Sequence, residues 1–293
     1  MTDGAAAQVV DIERMPTMGS LYPVAGVRAA TSRLRPASRE LPATTLRTAG
    51  VVATAEHLTA YQHLLGESAS DRLPAGFVHV LAFPLAFSVM VRPDFPLPVL
   101  GMVHVANRVT QHAPVTLGTP LDVTARARDL RAHRSGTQVD LVASVHADGE
   151  LVWEGVSTYL AKGVRIAGDA PDDERAPFVA PVPTGEWRLG PDTGRRYAAV
   201  SGDRNPIHLS ALGAKAFGFP RAIAHGMYTA ARALADVGAA RGDAFTWAVD
   251  FQAPVLLPST VSVRVAADGD GFAFAGWDRR SGRPHLTGTV GPA

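Results

Sequence analysis

The sequence predicts an α+β fold built from two copies of one structural unit. In residues 38–165 a helical pattern and an apolar segment precede several strand-like segments. Alternation of apolar and polar residues predicts half-buried strands, and a helix followed by several such strands is typical of an α+β domain. The same order of segments returns in residues 185–293. Because such self-similarity indicates a structural repeat, we expect two domains of related structure.

The first unit begins with an extended segment and an amphipathic helix. Four apolar residues of this helix recur at helical spacing: Leu58, Tyr61, Leu64 and Leu65. The segment 73–91 that follows is apolar on all sides, as expected of a buried element. Strand-like segments come next, at Val103–Val109, Leu121–Asp129, Gln138–Ala147 and Leu151–Ala161, with a turn at Asp148-Gly149 before the last of them.

Short matches between the two units support the repeat. In chain order, Tyr61–Glu67 matches Tyr197–Asp203, Leu73–His79 matches Phe219–His225, Ala113–Val115 matches Ala253–Val255, and 121–129 matches 261–270. The units differ between Gly66 and Pro74, where the first lacks the Asn-Pro turn, the histidine and the short helix of the second. Val80 stands at the position that matches Gly226. The first unit therefore retains the scaffold and lacks the polar groups.

Two segments lie outside the repeated units. Residues 1–37 mix alanine, glycine, proline and arginine without sustained periodicity, so we predict an extended or partly disordered N-terminal arm with no chemical role. Residues 166–184 contain four prolines and an acidic cluster, and are interpreted as a linker.

The composition limits the classes of partner and compartment. Lys and Arg total 28 against 27 for Asp and Glu, without long basic runs, so no nucleic-acid partner is expected. Cysteine is absent, which excludes disulfides and cysteine-based metal sites. The first residues lack the pattern of a secretory signal, and the longest apolar run, Val80–Val91, is interrupted by Pro84 and a serine. We therefore expect a cytoplasmic protein without a membrane span.

The segment 197–228 concentrates the polar groups of the second unit. Asp203 and His208 flank an Asn205-Pro206 turn, because a proline ring pushes the preceding residue out of the helical region. Both side chains are therefore predicted to lie on a loop. Ser210 is the predicted N-cap of a short helix that follows.

A second loop places Gly226 at the start of a helix predicted from about residue 227 to 240. The N–H groups at a helix N-terminus have no partner within the helix and attract negative charge. A carboxylate, an imidazole and such an N–H are the groups needed to move a proton, activate water and stabilise an oxyanion. By spacing alone, the same residues also fit an Asx-turn, a surface histidine and a turn glycine.

This segment resembles the signature of the MaoC-like, (R)-specific enoyl-CoA hydratases, also called hydratase 2. The resemblance rests on Tyr197-Ala198, on Ser201–His208, on Phe217-Gly218-Phe219 and on Ala224–Met227. It implies that Asp203 and His208 are catalytic and activate a water molecule. It also implies that Asn205 and Gly226 are substrate-binding, with the Gly226 N–H supplying the oxyanion donor. The family usually has an acidic residue where this chain has Ser210, which can still cap a helix.

The resemblance further implies two hot-dog folds in tandem, each a curved antiparallel sheet wrapped around a long buried helix. The two helices would be formed by AFPLAFSVMV and MYTAARALADVGAA. The domains would be residues 38–165, without catalytic residues, and residues 185–293, which carry them. We expect the two domains to pack as a pseudo-dimer with their sheets joined edge to edge.

The function implied is reversible hydration of trans-2-enoyl thioesters to (R)-3-hydroxyacyl thioesters, without a cofactor or a metal. Alternatives left open are a dehydratase of fatty-acid or polyketide synthesis, a non-catalytic acyl-thioester-binding protein and a thioesterase on the same fold. The thioester handle, coenzyme A or an acyl carrier protein, is also left open, as is a homodimer of whole chains. His225, at a helix start, is interpreted as a hydrogen-bonded structural residue.

Overall fold

The computed structural model describes residues 8–31, 40–170 and 177–293. Its strands are β1 (Gln8–Asp11), β2 (Thr44–Val51), β3 (Val103–Gln111), β4 (Leu121–His133), β5 (Gly136–Ala147), β6 (Glu150–Lys162), β7 (Gly185–Leu189), β8 (Phe245–Phe251), β9 (Ser259–Asp268), β10 (Gly271–Asp278) and β11 (Pro284–Pro292). Its helices are α1 (Met18–Thr31), α2 (Ala55–Leu65), α3 (Ala75–Met90), α4 (Thr193–Ser201), α5 (Pro206–Leu209), α6 (Ala211–Ala216) and α7 (Gly226–Val237). A 3-10 turn, Gly238–Arg241, follows α7.

These strands form one 11-stranded sheet in the order β1-β2-β4-β5-β6-β3-β8-β11-β10-β9-β7. The order is mirrored about the junction of β3 and β8, which pair antiparallel from Ala106↔Asp250 to Gln111↔Phe245. The strands on either side of the junction correspond one to one, apart from the additional β1. The predicted α+β fold of two units joined edge to edge is thus confirmed.

Each unit packs a helix against its half of the sheet. Helix α3 is buried along most of its length, as its apolar sequence on all sides predicts. It contains Pro84, whose carbonyl accepts a hydrogen bond from the Ser88 hydroxyl at 2.8 Å. Helix α7 buries Met227, Leu234 and Val237 among others. Within the described part of the chain no helix combines the length and apolarity of a membrane span.

The two helices begin at different points of the repeat. Helix α3 begins at Ala75, so the matching position, Val80, lies inside the helix. The N–H of a residue inside a helix is bonded to a carbonyl one turn earlier. Helix α7 begins at Gly226 itself. The first unit therefore has no unpaired amide at the position where the second unit has one.

The prediction of an irregular N-terminal arm is wrong for residues 8–31. Strand β1 pairs in parallel with β2, and α1 packs on the core. Helix α1 buries Met18, Leu21 and Ala25, which recur at helical spacing. The rest of the predicted arm, residues 1–7 and 32–37, lies outside the described residues.

The predicted linker, residues 166–184, is described only in part. Its residues 171–176 lie outside the described ranges, and no strand or helix occurs in the remainder before β7 begins at Gly185. The division of the chain into residues 38–165 and 185–293 stays a prediction.

The residue of the first unit that matches Asp203 forms an ion pair with the second unit. The Glu67 side chain is 6% exposed, and its Oε2 lies 3.1 Å from a guanidinium nitrogen of Arg241. Burial raises the pKa of Glu67, while the Arg241 charge lowers it. Arg241 also donates to the carbonyls of Leu234 and Gly238 at the end of α7. The acid of the first unit therefore adds an ion pair to the contact between the two units.

We predict that Glu67→Ala lowers the free energy of unfolding by about 3–5 kcal/mol, because it leaves the Arg241 charge buried without its partner. Urea denaturation measures this change. The matched control is Glu56→Ala, which removes an exposed glutamate from the first turn of α2. Equal effects of the two substitutions would contradict the prediction.

Candidate active site

A tight turn after α4 carries the predicted site residues. Helix α4 ends at Gly202, which has φ 74°, and Asp203 follows in the loop. Asn205 then caps α5, its side-chain oxygen accepting from the Ile207 N–H at 3.3 Å. The extended conformation of Asn205, φ −54° and ψ 126°, is the one that a following proline favours. His208 lies on the one-turn helix α5, so the prediction that it lies on a loop is wrong.

Helix α5 is fixed by close contacts on two sides. A Cβ atom at Gly194 of α4 would lie 2.1 Å from the His208 carbonyl oxygen, so only glycine allows this approach. On the other side, the Ile223 N–H donates to the Ile207 carbonyl at 3.1 Å. The Ser210 hydroxyl accepts from the Gly213 N–H at 3.0 Å, which confirms the predicted N-cap. The backbone that carries His208 is therefore held rigidly.

The hydrogen bond of His208 determines which ring nitrogen is free. Its Nδ1 lies 2.8 Å from the Ile223 carbonyl, which can only accept, so Nδ1 carries the hydrogen. In the neutral ring, Nε2 then has a free lone pair. Burial, together with neighbouring His225, lowers the pKa of His208 to about 3. At neutral pH the side chain is therefore an uncharged base.

His225 stacks on His208 at the start of α7. The ring centroids are 3.6 Å apart and the ring planes differ by 24°. The Nε2 of His225 donates to the backbone carbonyl of Asp203 at 2.9 Å. Burial lowers the pKa of His225 as well. This buried, hydrogen-bonded position agrees with the structural role predicted for His225.

One oxygen of the Asp203 carboxylate accepts two hydrogen bonds. Its Oδ1 accepts from the Tyr22 hydroxyl and from the Asn205 N–H, the latter at 3.2 Å. Its Oδ2 lies 3.7 Å from the His225 Nε2. Burial alone would raise the pKa of Asp203, but attraction to His225 and His208 in their protonated forms, together with the hydrogen bonds, outweighs burial and lowers it. Asp203 is therefore ionised at neutral pH.

Gly226 is the first residue of α7, so its N–H has no partner within the helix. The preceding residue, His225, makes no side-chain capping bond to the helix. A Cβ atom at position 226 would lie 3.1 Å from ring carbons of Phe251. Glycine thus lets the helix start approach the aromatic ring that borders the site.

Asp203, Asn205, His208 and Gly226 all line one cavity of about 770 Å³ between the two units. This volume is within the usual range for small-molecule sites. The first unit supplies much of its apolar wall, including Phe83, Phe87 and Met90 of α3 and Met102 near β3. The structure therefore brings all four predicted site residues together, against a wall from the unit that lacks them.

Asp203, His208 and His225 also have the residue types of a metal site, with potential ligand atoms within 4.8 Å of one another. A histidine binds a metal ion through the in-plane lone pair of its nitrogen. Because the two rings are stacked 3.6 Å apart and nearly parallel, their lone pairs do not converge on one point. The carboxylate is moreover engaged by Tyr22 and Asn205. The arrangement fits acid–base chemistry better than chelation.

Several polar residues at the site were missed by sequence reasoning. Tyr22 comes from α1, and His79, His104 and Tyr159 come from the first unit; all line the cavity. A bulge in β3 after His104 accompanies its placement against Tyr159, with ring centroids 4.7 Å apart. The helical spacing of Met18, Leu21 and Ala25 was a signal for α1, but no local pattern indicated its contact with Asp203.

Several known proteins are similar to this chain. The family profile described as MaoC-like domain matches residues 169–276. The 3-hydroxyacyl-thioester dehydratase X of Mycobacterium tuberculosis is 38% identical over 262 residues, which cover 87% of this chain and 91% of that protein. The crystal structure of this relative, HtdX, superposes with a TM-score of 0.76 at 35% identity, covering 85% of this chain and 100% of that one.

Two more distant structures share the fold alone. A MaoC-like dehydratase from Phytophthora capsici has a TM-score of 0.65 at 19% identity and covers 85% of this chain and 95% of its own. A Mycobacterium tuberculosis protein with a double hot-dog fold has a TM-score of 0.51 at 15% identity, covering 82% and 92% respectively. The tandem hot-dog architecture predicted from the sequence is thereby confirmed.

Buried neutral histidines predict a loss of stability in acid. Burial lowers the pKa of His79 to about 4 and those of His104 and His208 to about 3. As the pH falls from about 6.5 to about 4, the unfolded chain binds protons that the folded chain does not. The free energy of unfolding should therefore fall by about 1.4 kcal/mol per pH unit for each of these histidines.

Urea denaturation at a series of pH values measures this slope. His79→Gln should reduce this pH slope of the unfolding free energy by the contribution of one histidine. His63→Gln, which removes an exposed imidazole of α2, should leave the slope unchanged. A free energy of unfolding that is constant across this pH range would contradict the prediction.

Proposed function

The chain belongs to the MaoC-like dehydratase family, and we propose that it removes water from (R)-3-hydroxyacyl thioesters and catalyses the reverse hydration of trans-2-enoyl thioesters. The observation that carries the proposal is the opening of the Asp203 carboxylate, the His208 imidazole and the start of α7 onto one cavity. The name of the 38% identical relative, a 3-hydroxyacyl-thioester dehydratase, supports dehydration over hydration as the main direction.

In dehydration, the Nε2 of His208 accepts the proton from C2 of the hydroxyacyl thioester. The electrons of the broken C–H bond form an enolate on the thioester oxygen. These electrons then form the C2=C3 double bond as the C3–O bond breaks. The imidazolium returns its proton to the departing hydroxide, and water is released. Atoms and charge balance with no other reactant, and the reverse sequence is hydration.

The roles of the other groups follow from their charges and positions. Asp203, ionised and beside His208, accepts a hydrogen bond from the substrate hydroxyl and stabilises the transient imidazolium. The Gly226 N–H, at the positive end of α7, donates to the enolate oxygen. Asn205 fixes the position of Asp203 relative to α5, because its N–H donates to the Asp203 carboxylate and its side-chain oxygen accepts from the Ile207 N–H. Because one imidazole handles both the proton and the hydroxide, removal and addition take place on one face of the substrate, as a syn process.

The acyl chain is proposed to extend along the apolar wall formed by Phe83, Phe87 and Met90 of the first unit. Burial of each methylene there contributes about 0.8 kcal/mol to binding. The handle is proposed to be coenzyme A or an acyl carrier protein, and a homodimer of whole chains is a further proposal. A non-catalytic acyl-thioester-binding protein would use the same wall, so turnover must decide between the two functions.

The first test is a panel of (R)- and (S)-3-hydroxyacyl thioesters of several chain lengths, on coenzyme A and on a carrier protein. We expect enoyl product from the (R) series alone, because His208 and Asp203 reach only one face of C2 and C3. Absorbance of the conjugated enoyl thioester and chiral analysis of the hydration product provide the readouts. Tight binding of every thioester without turnover would instead support the binding-protein alternative.

We predict that Asp203→Asn and His208→Ala each reduce turnover by about 10²–10⁴-fold, because each removes a positioned acid–base or charged group. Substrate binding should change much less, since the acyl wall is intact. Asn205→Ala should have a milder effect, because it removes an orienting group only. Single-turnover dehydration by the folded variants measures the chemical step.

The matched control for this series is Glu67→Gln, at the equivalent position of the first unit. It should retain wild-type turnover, because Glu67 contacts Arg241 and does not line the cavity. Near wild-type rates in Asp203→Asn or His208→Ala would refute the site assignment. A loss in Glu67→Gln as severe as theirs would place the chemistry in the other unit.

A further inference from the structure

The Tyr22 side chain of helix α1 lines the active-site cavity and comes from outside both repeated units. We propose that Tyr22 is a positioning residue that orients the Asp203 carboxylate for the reaction. This inference rests on the function proposed above and assigns a chemical role to the N-terminal segment.

The contacts of Asp203 distinguish its two oxygens. The Tyr22 hydroxyl and the Asn205 N–H both donate to Oδ1. The His225 Nε2 lies 3.7 Å from Oδ2 and donates instead to the Asp203 backbone carbonyl. Oδ1 is therefore saturated, and Oδ2 is the oxygen with lone pairs available for the substrate hydroxyl or for water.

Tyr22 is held in place by one ring contact of its own and by two further contacts of the helix that carries it. Its ring centroid lies 5.3 Å from that of Phe87 in α3. Met18, one turn earlier on α1, is buried against Gly202, where a Cβ atom would lie 3.1 Å from the Met18 Cγ. Further along α1, the Arg28 guanidinium donates to the Phe95 carbonyl. The hydroxyl thus meets Asp203 from a fixed direction.

The protonation state of Tyr22 suits this role. Burial and the adjacent Asp203 charge raise the pKa of Tyr22, so it retains its proton and can only donate to the carboxylate. Other titratable groups also interact electrostatically with Asp203. They are His79, His104, Tyr159, Tyr197, His208 and His225. Among the described residues, Tyr22 is the one whose side chain donates a hydrogen bond to this carboxylate.

The test is Tyr22→Phe, which removes the hydroxyl and keeps the ring that packs on Phe87. A hydrogen bond to a charged group is worth enough to change the rate by about 10- to 100-fold, and we expect kcat to fall by this factor. KM should change by less than about 3-fold, because the acyl wall is untouched. Without the donated hydrogen bond, the carboxylate is protonated at higher pH, so the acid limb of kcat/KM should move to higher pH.

The matched control is Tyr228→Phe, which removes a buried phenol of α7 that accepts from Arg232 and does not line the cavity. It should leave kcat and the pH profile unchanged. A wild-type kcat and pH profile for Tyr22→Phe would overturn the proposal. Equal losses in the two variants would also overturn it, because they would indicate a general packing effect.

A second measurement does not depend on turnover. Carbon-13 NMR titration of the Asp203 carboxyl should give a higher pKa in Tyr22→Phe than in the wild type. Difluorotyrosine at position 22, a stronger donor on an intact ring, should lower the pKa of the Asp203 carboxyl. This variant provides the test if Tyr22→Phe does not fold. An unchanged carboxyl pKa in the folded variants would overturn the positioning role. Absence of turnover in the wild type, with the pKa shift present, would instead refute the proposed function alone.

Discussion

A carboxylate charge enclosed at the junction of two structural units is the constraint on which this site depends. Enclosure favours the neutral form of Asp203, so the charge persists only if donors are fixed around it. Those donors come from separate parts of the chain, Tyr22 from α1 and the Asn205 N–H from the turn before α5. His225 at the start of α7 lies 3.7 Å from the other carboxylate oxygen. The site is therefore complete only when the arm, the turn and the helix start are all in place.

In the first unit, the carboxylate charge at the matching position is stabilised in a different way. Glu67 occupies the position that matches Asp203, and a guanidinium of the second unit neutralises it at 3.1 Å. Glu67 is engaged in this ion pair and does not line the cavity, so it does not meet a molecule bound there. The continued α3 also removes the free amide, because Val80 lies within the helix. The same scaffold thus carries the proposed catalytic groups in one copy and an ion pair between the units in the other.

The sequence predicts those features that depend on neighbours along the chain. The repeat, the buried helices, the Asn205-Pro206 turn and the Ser210 cap all arise from local pattern or local sterics, and each is found in the structure. The Tyr22–Asp203 contact spans 181 residues and the Glu67–Arg241 contact spans 174. No periodicity encodes such pairs, because they exist only once the sheets have joined at β3 and β8.

The asymmetry of the two units follows from the needs of one cavity. The acyl chain of the proposed substrate would be bound by apolar contact, and α3 offers this with Phe83, Phe87 and Met90. A second catalytic loop in the first unit would bring another carboxylate and imidazole to the same interior. These groups would require hydration or new donors, and they would interrupt the apolar wall. A binding wall and a second active site therefore compete for the same surface, and in this chain the wall occupies it.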